Sequence, residues 1–171
     1  MDLHLKDKAF IVTGGAKGIG KAIVWELVNE GAIPVILGRS KEASLELEKK
    51  IKENGGKCLN ILAELPNPAI CKETVEKTVE EFGDLHGIVN NAGVNDGVGL
   101  EDGSPEEFRN SVTTNLMHYY DLVHYALPHL KKTKGSILNI SSKTAITGQG
   151  NTSGYAASKG AQLALTREWA V

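Results

Sequence analysis

Five short, nearly unbroken apolar runs mark out the chain: AFIVTG (9–14), IPVIL (33–37), KCLNIL (57–62), HGIVNN (86–91) and GSILNIS (135–141). Runs of this length without polar alternation suit strands covered on both faces, as in a parallel sheet sandwiched between helices. The intervening stretches supply those helices. Leu47 and Ile51, then Val75, Val79 and Phe82, then Phe108, Val112, Leu116, Tyr119, Val123 and Leu130 recur at helical spacing. Strand and helix therefore alternate, which requires right-handed crossovers and puts helices on both sides of the sheet. The predicted fold class is α/β, a doubly wound parallel sheet in three layers. Pro34 stands at the opening of its strand, where a missing N–H is tolerated. With 171 residues, 41% of them hydrophobic, and no internal repeat, low-complexity tract or linker, a single domain over 1–171 is expected.

The final helix, expected from about Ser153, is still periodic through LALTREWAV at Val171, with neither a cap nor a glycine stop. The fifth strand would then carry a bare edge, so the domain is expected to be incomplete at its C-terminal end. A net charge of −2 and the lack of any Lys/Arg run argue against nucleic acid or an acidic membrane surface as partner and favour a small molecule. Cys58 and Cys71 have no metal-ligand spacing and make no disulfide framework, so both read as small buried hydrophobes, and no metal is expected. The start, MDLHLKDKAF, has no apolar signal region, and no later stretch is long enough to span a bilayer. A cytoplasmic location is expected by elimination.

VTGGAKGIG follows the first strand and opens the first helix, with Gly14, Gly18 and Gly20 spaced G-x-x-x-G-x-G. Such a loop gives a tight turn, close backbone approach to a pyrophosphate, and a helix N-terminus whose free N–H groups favour anionic oxygens. A plain strand-to-helix turn has the same composition; the position after the first strand of a β-α repeat favours the dinucleotide reading. The second strand ends ILGRS, with Gly38 where an NAD-preferring site carries an acid and Arg39 beside it, where a 2′-phosphate would sit. Lys17 adds a second positive charge. Both cations also read as ordinary solvated residues; as a pair they favour NADP, with NAD as the alternative cofactor.

In SGYAASKGA (153–161), Tyr155 and Lys159 lie four residues apart among small side chains, so a helix projects both from one face. A free tyrosine titrates near ~10, too weak a base at neutral pH. An adjacent ammonium favours its phenolate, which then accepts the hydroxyl proton of an alcohol as hydride leaves. Alone, the pair reads as a core aromatic and a surface lysine. In order along the chain, however, stand the glycine loop, NNAG (90–93), Asn115, NISS ending at Ser142, and Tyr155-x-x-x-Lys159. With these motifs the whole chain closely resembles the short-chain dehydrogenase/reductase family.

That resemblance implies a Rossmann-type oxidoreductase with Ser142, Tyr155 and Lys159 as catalytic trio and Asn115 as fourth member. Asn115 would hold a water that relays the proton outward; a buried Asn bonded to backbone is the other reading. It further implies cofactor contacts from Gly14, Lys17, Gly18, Ile19, Gly20, Arg39, Leu65, Asn91, Ala92, Gly93, Tyr155 and Lys159. Asn90 would lie along the adenosine ribose, and Glu64 would stand where the family carries an adenine-contacting Asp. The small residues Ala156, Ala157, Gly160 and Ala161 suit a closely packed helix. In the family this helix and the preceding long one form a four-helix contact between subunits, so a homodimer or homotetramer is expected.

The segments KTAITGQGNTSG (143–154) and AGVNDGVGL (92–100) should border the substrate, and their small and amide side chains suit a polyhydroxylated molecule. Asn95, Ser142, Lys143, Gln149, Asn151 and Tyr155 are the candidate substrate contacts; the loop residues among them read equally as turn formers. Within the family, VNDGVGL, NLMHYYDLVHYALPHL and the segment from Ser141 onward resemble the bacterial L-fucose dehydrogenase branch, which implies oxidation of the anomeric hydroxyl of an aldose. Two other readings stand beside it: a reductase of 3-oxoacyl thioesters or other ketones, and a catalytically silent dinucleotide-binding fragment.

Overall fold

The computed structural model describes residues 2–171. Five parallel strands, β1 (Ala9–Thr13), β2 (Ile33–Gly38), β3 (Leu59–Leu62), β4 (Gly87–Asn90) and β5 (Ser136–Asn139), form one sheet in the order β3-β2-β1-β4-β5. The apolar runs of β1, β2 and β4 bury both faces, because successive side chains point to opposite sides; β3 is half-buried, and on β5 Ser136 and Leu138 stay exposed, so the expectation of cover on both faces fails at that edge. Ile11, Val35, Leu37 and Ile88 enter one core with Val75, Leu122, Ala126 and Leu130. Their neighbours Phe10, Val12, Ile36 and Val89 enter the other with Val24, Leu27, Leu47 and Ile51. Helices α1 (Gly18–Asn29) and α2 (Lys41–Glu53) cover the second face; α3 (Pro68–Phe82) and α5 (His118–Thr133) cover the first.

Pairing of β2 with β3 begins only at Val35, so Pro34 needs no partner on that side. Strands β3 and β5 are shorter than the apolar runs 57–62 and 135–141, because the ladder with β2 or β4 covers only four residues each. Strand β5 lies at the sheet edge, with Leu138 half exposed. Cys71 is buried in the first core and Cys58 packs on the second; neither is paired, and burial pushes their thiols up to about 12 and about 11.

The long predicted helix is α4 (Pro105–Val112), a π-helical turn (Thr113–Met117) and α5 in succession. A capping box starts it: the Ser104 hydroxyl accepts from the Glu107 N–H while the Glu107 carboxylate accepts from the Ser104 N–H. A four-residue turn, α6 (Thr144–Thr147), precedes α7 (Ser153–Glu168), which ends at Glu168 with Trp169 as C-cap instead of running on to Val171. Close helix contact comes from Gly154, where a Cβ would strike the Ser111 side chain of α4. Gly160, expected to pack closely, has open space around it. No described helix is long and apolar enough to cross a membrane.

Candidate active site

Every loop that leaves the C-terminal end of a strand contributes to one cleft of ≈ 470 Å³, the place where open α/β sheets hold ligands. One end is walled by Gly38, Arg39, Ser40, Ala63 and Leu65, the middle by Gly14, Ala16 to Ile19 and Asn91 to Val94, and the other end by Ile140, Ser141, Tyr155 and Lys159. The predicted cofactor residues thus meet on one surface, except Gly20, Glu64 and Asn90, which do not line it; nor does Ser142, whose neighbour Ser141 does.

The glycine loop has its shape for steric reasons. Gly14 and Gly18 hold φ of +64° and +53°, a region costly for any residue with a Cβ. Gly20 has no room for a Cβ, which would run into the Gly14 carbonyl and lie 2.6 Å from Asn91 Nδ2. The loop is then locked from β4: Asn91 Nδ2 donates to the Thr13 carbonyl (2.9 Å), and the Asn91 and Ala92 N–H groups both donate to the Thr13 hydroxyl at 2.9 Å. Lys17, the N-cap of α1, makes no side-chain cap, so the first-turn N–H groups face the cleft uncapped. Asn90, expected along a ribose, instead is fully buried and donates from Nδ2 to Asn139 Oδ1 (3.0 Å), tying β4 to β5.

At the far end of β2, Arg39 Nη1 lies 3.6 Å from Glu64 Oε1, both side chains being about three-quarters exposed. Glu64 therefore pairs with Arg39, which sequence reading did not foresee.

Tyr155 and Lys159 project from the first turns of α7 as predicted, with Lys159 Nζ 5.5 Å from the Tyr155 ring centroid. Lys159 is 3% exposed, and burial pulls its ammonium down to about 8. Its Nζ donates to the Ile140 carbonyl (2.7 Å), to Gln162 Oε1 (3.1 Å) and to the Tyr119 hydroxyl (3.4 Å). Ser142 Oγ accepts from the Thr144 hydroxyl (3.0 Å) and N–H (3.3 Å), which leaves its own O–H uncommitted. The neighbouring Ser141 hydroxyl donates to the Lys159 carbonyl and fixes α7 against β5.

Asn115 sits fully buried in the π turn, and its side chain serves the main chain: Oδ1 accepts from the Val94 N–H (2.7 Å) and Nδ2 donates to the Ser111 carbonyl (2.9 Å). Both of its side-chain bonds are thus to main-chain groups. Its own carbonyl accepts from Gln162 Nε2 at 2.8 Å. Asn95, Lys143, Gln149 and Asn151 are all exposed and lie outside the cleft. The Ser153 N–H bonds the Val98 carbonyl (2.7 Å) and brings their two loops together. Sequence reading missed Gln162 and His118, polar residues fully buried where helical periodicity alone expects apolar ones. His118 lines the cleft, and burial pulls its imidazole down to about 4.

The short chain dehydrogenase family model matches residues 8–171. A rat L-fucose dehydrogenase is 36% identical over 165 residues, covering 96% of this chain and 60% of that protein. Among solved structures, one described as Cj0485 dehydrogenase is 46% identical with a TM-score of 0.91, covering 99% of this chain and 65% of that one. An NAD⁺-bound xylitol dehydrogenase is 26% identical with a TM-score of 0.89, covering 96% and 64%. The chain thus spans about three-fifths of the length of its curated relatives.

Proposed function

The chain belongs to the short-chain dehydrogenase family, and on that premise we propose that the protein oxidises an aldose such as L-fucose at its anomeric hydroxyl, with NADP as preferred hydride acceptor. One observation carries the reading: a single cleft joins the glycine loop and Arg39 at one end to Tyr155 and Lys159 at the other. The residues fit a dinucleotide, since the loop is open where any Cβ would fill it and the first turn of α1 is uncapped. The bound nicotinamide supplies acceptance of a hydride from the alcohol carbon.

The chain's own groups do the rest. The α1 N–H groups and Lys17 hold the pyrophosphate, and Arg39 meets a 2′-phosphate. The Tyr155 oxygen takes the proton of the substrate hydroxyl. The Lys159 ammonium stands 5.5 Å from the Tyr155 ring centroid, a positive charge beside the group that takes the proton. The free Ser142 O–H donates to the reacting oxygen and holds it near Tyr155. Sugar hydroxyls suit the amide side chains of Asn95, Gln149 and Asn151, on the two loops joined by the Ser153–Val98 bond outside the cleft, better than an acyl chain does.

Phe108, Met117, Tyr120 and Leu127 expose 40–51% of their surface along α4, the π turn and α5, a face that a second copy of the chain would cover in a dimer or tetramer. A cytoplasmic location belongs to the same reading. The test is a substrate panel followed by nicotinamide absorbance. Reduction of NADP with L-fucose or related aldoses supports the proposal. Oxidation of NADPH with 3-oxoacyl thioesters and silence with sugars would replace it by a ketone reductase. Nucleotide binding with no turnover on either class would leave a silent dinucleotide-binding module.

A further inference from the structure

The Lys159 ammonium is not held by the Asn115 side chain or by anything Asn115 carries directly. Between the Asn115 carbonyl and Lys159 Nζ stands the amide of Gln162, fully buried one turn beyond Lys159 on α7. Its orientation is fixed by chemistry. An ammonium only donates and a carbonyl only accepts, so Oε1 must face Lys159 (3.1 Å) and Nε2 the Asn115 carbonyl (2.8 Å). The amide therefore bridges α7 to the π turn 47 residues away. With the Ile140 carbonyl and Tyr119 hydroxyl it gives the ammonium three protein acceptors beneath the cleft.

We propose that Gln162 is a positioning residue that tethers the Lys159 ammonium to the π turn at Asn115. The proposal rests on the dehydrogenase reading for its consequence in catalysis, but the tether belongs to the folded chain alone. A primary amide neither gains nor loses a proton near neutral pH, so it anchors the ammonium without passing a proton outward. Removing the acceptor disfavours the charged form of a buried lysine; putting a carboxylate there favours it. The other ionisable groups facing Lys159 are Tyr155 on its own helix and Tyr119 and His118 on α5, and among the described residues no carboxylate forms an ion pair with it.

The test is a pH titration of Lys159 by NMR on protein labelled with ¹³C at lysine Cε, without ligand, the signal being assigned by its loss in Lys159→Met. Gln162→Leu should lower the Lys159 midpoint by about one pH unit or more, a tenfold change in its protonation equilibrium. Gln162→Glu should raise it by a similar amount, and serves if the Leu variant does not fold. The acid limb of the kcat profile should move in the same order among the three proteins while the KM for sugar stays within about twofold. Identical Lys159 midpoints in all three proteins overturn the proposal. Shifted midpoints in a protein that oxidises no alcohol keep the tether and overturn the dehydrogenase reading instead.

Discussion

Replacing Arg39 by Ala removes the one arginine at the end of β2 that borders the cleft. A guanidinium–phosphate bond contributes about 1.5–3 kcal/mol. Here Arg39 must first leave Glu64, 3.6 Å away; such an exposed pair is worth about 0–1 kcal/mol. The net effect is on the order of 1–2.5 kcal/mol, or about 5- to 60-fold in Kd for NADP. The affinity for NAD, which lacks the 2′-phosphate, should stay within about twofold. Glu64→Gln is the complementary change: it releases Arg39 and removes a negative charge, so NADP should tighten by up to about fivefold. Isothermal titration calorimetry with both nucleotides on the three proteins measures this directly. Equal weakening of NADP and NAD in Arg39→Ala, or no change in either, would refute the assignment of Arg39 to the 2′-phosphate.

Gly20→Ala should cut nucleotide affinity tenfold or more and destabilise the fold by about 1–3 kcal/mol, because its Cβ meets loop backbone. Gly160→Ala, in a helix with open space around it, should instead stabilise the fold by up to about 1 kcal/mol; chemical denaturation compares the two. His118 is neutral in the fold, with its titration pulled down to about 4 from the usual 6.5, so the unfolded chain binds more protons in that window. Stability should therefore be full above about pH 6.5 and fall on acidification toward pH 4, by about 3 kcal/mol from this group. Urea midpoints at pH 7 and 4.5 should drop less in His118→Gln than in the unaltered protein.

The alternation of strand and helix was legible because each apolar run serves two cores, as Ile11 and Val12 do on opposite faces of β1. The glycine loop was legible because backbone geometry at Gly14 and Gly18 and crowding at Gly20 admit one residue type. The π turn was not, since the spacing of Val112, Leu116 and Tyr119 reads as uninterrupted helix. On α4 the packed face is carried by Ser111 against Gly154, while Phe108 turns outward, which a hydrophobic pattern does not register. The Gln162 bridge escaped notice for a related reason: its two partners are a lysine on the same helix and a main-chain carbonyl far away in sequence, and a main-chain carbonyl has no sequence signature. The Arg39–Glu64 pair likewise needs β2 and β3 side by side before it exists.

Isotope transfer follows the hydride itself. The protein is incubated with NADP and L-fucose deuterated at C1, and the recovered nucleotide is examined by NMR. Deuterium should appear on the nicotinamide ring, at a rate reduced at least a hundredfold by Tyr155→Phe, which leaves the cleft's shape but has no ionisable oxygen. Reduced nucleotide free of deuterium would overturn hydride transfer from C1, and a Tyr155→Phe variant that transfers it at the unaltered rate would overturn Tyr155 as the base.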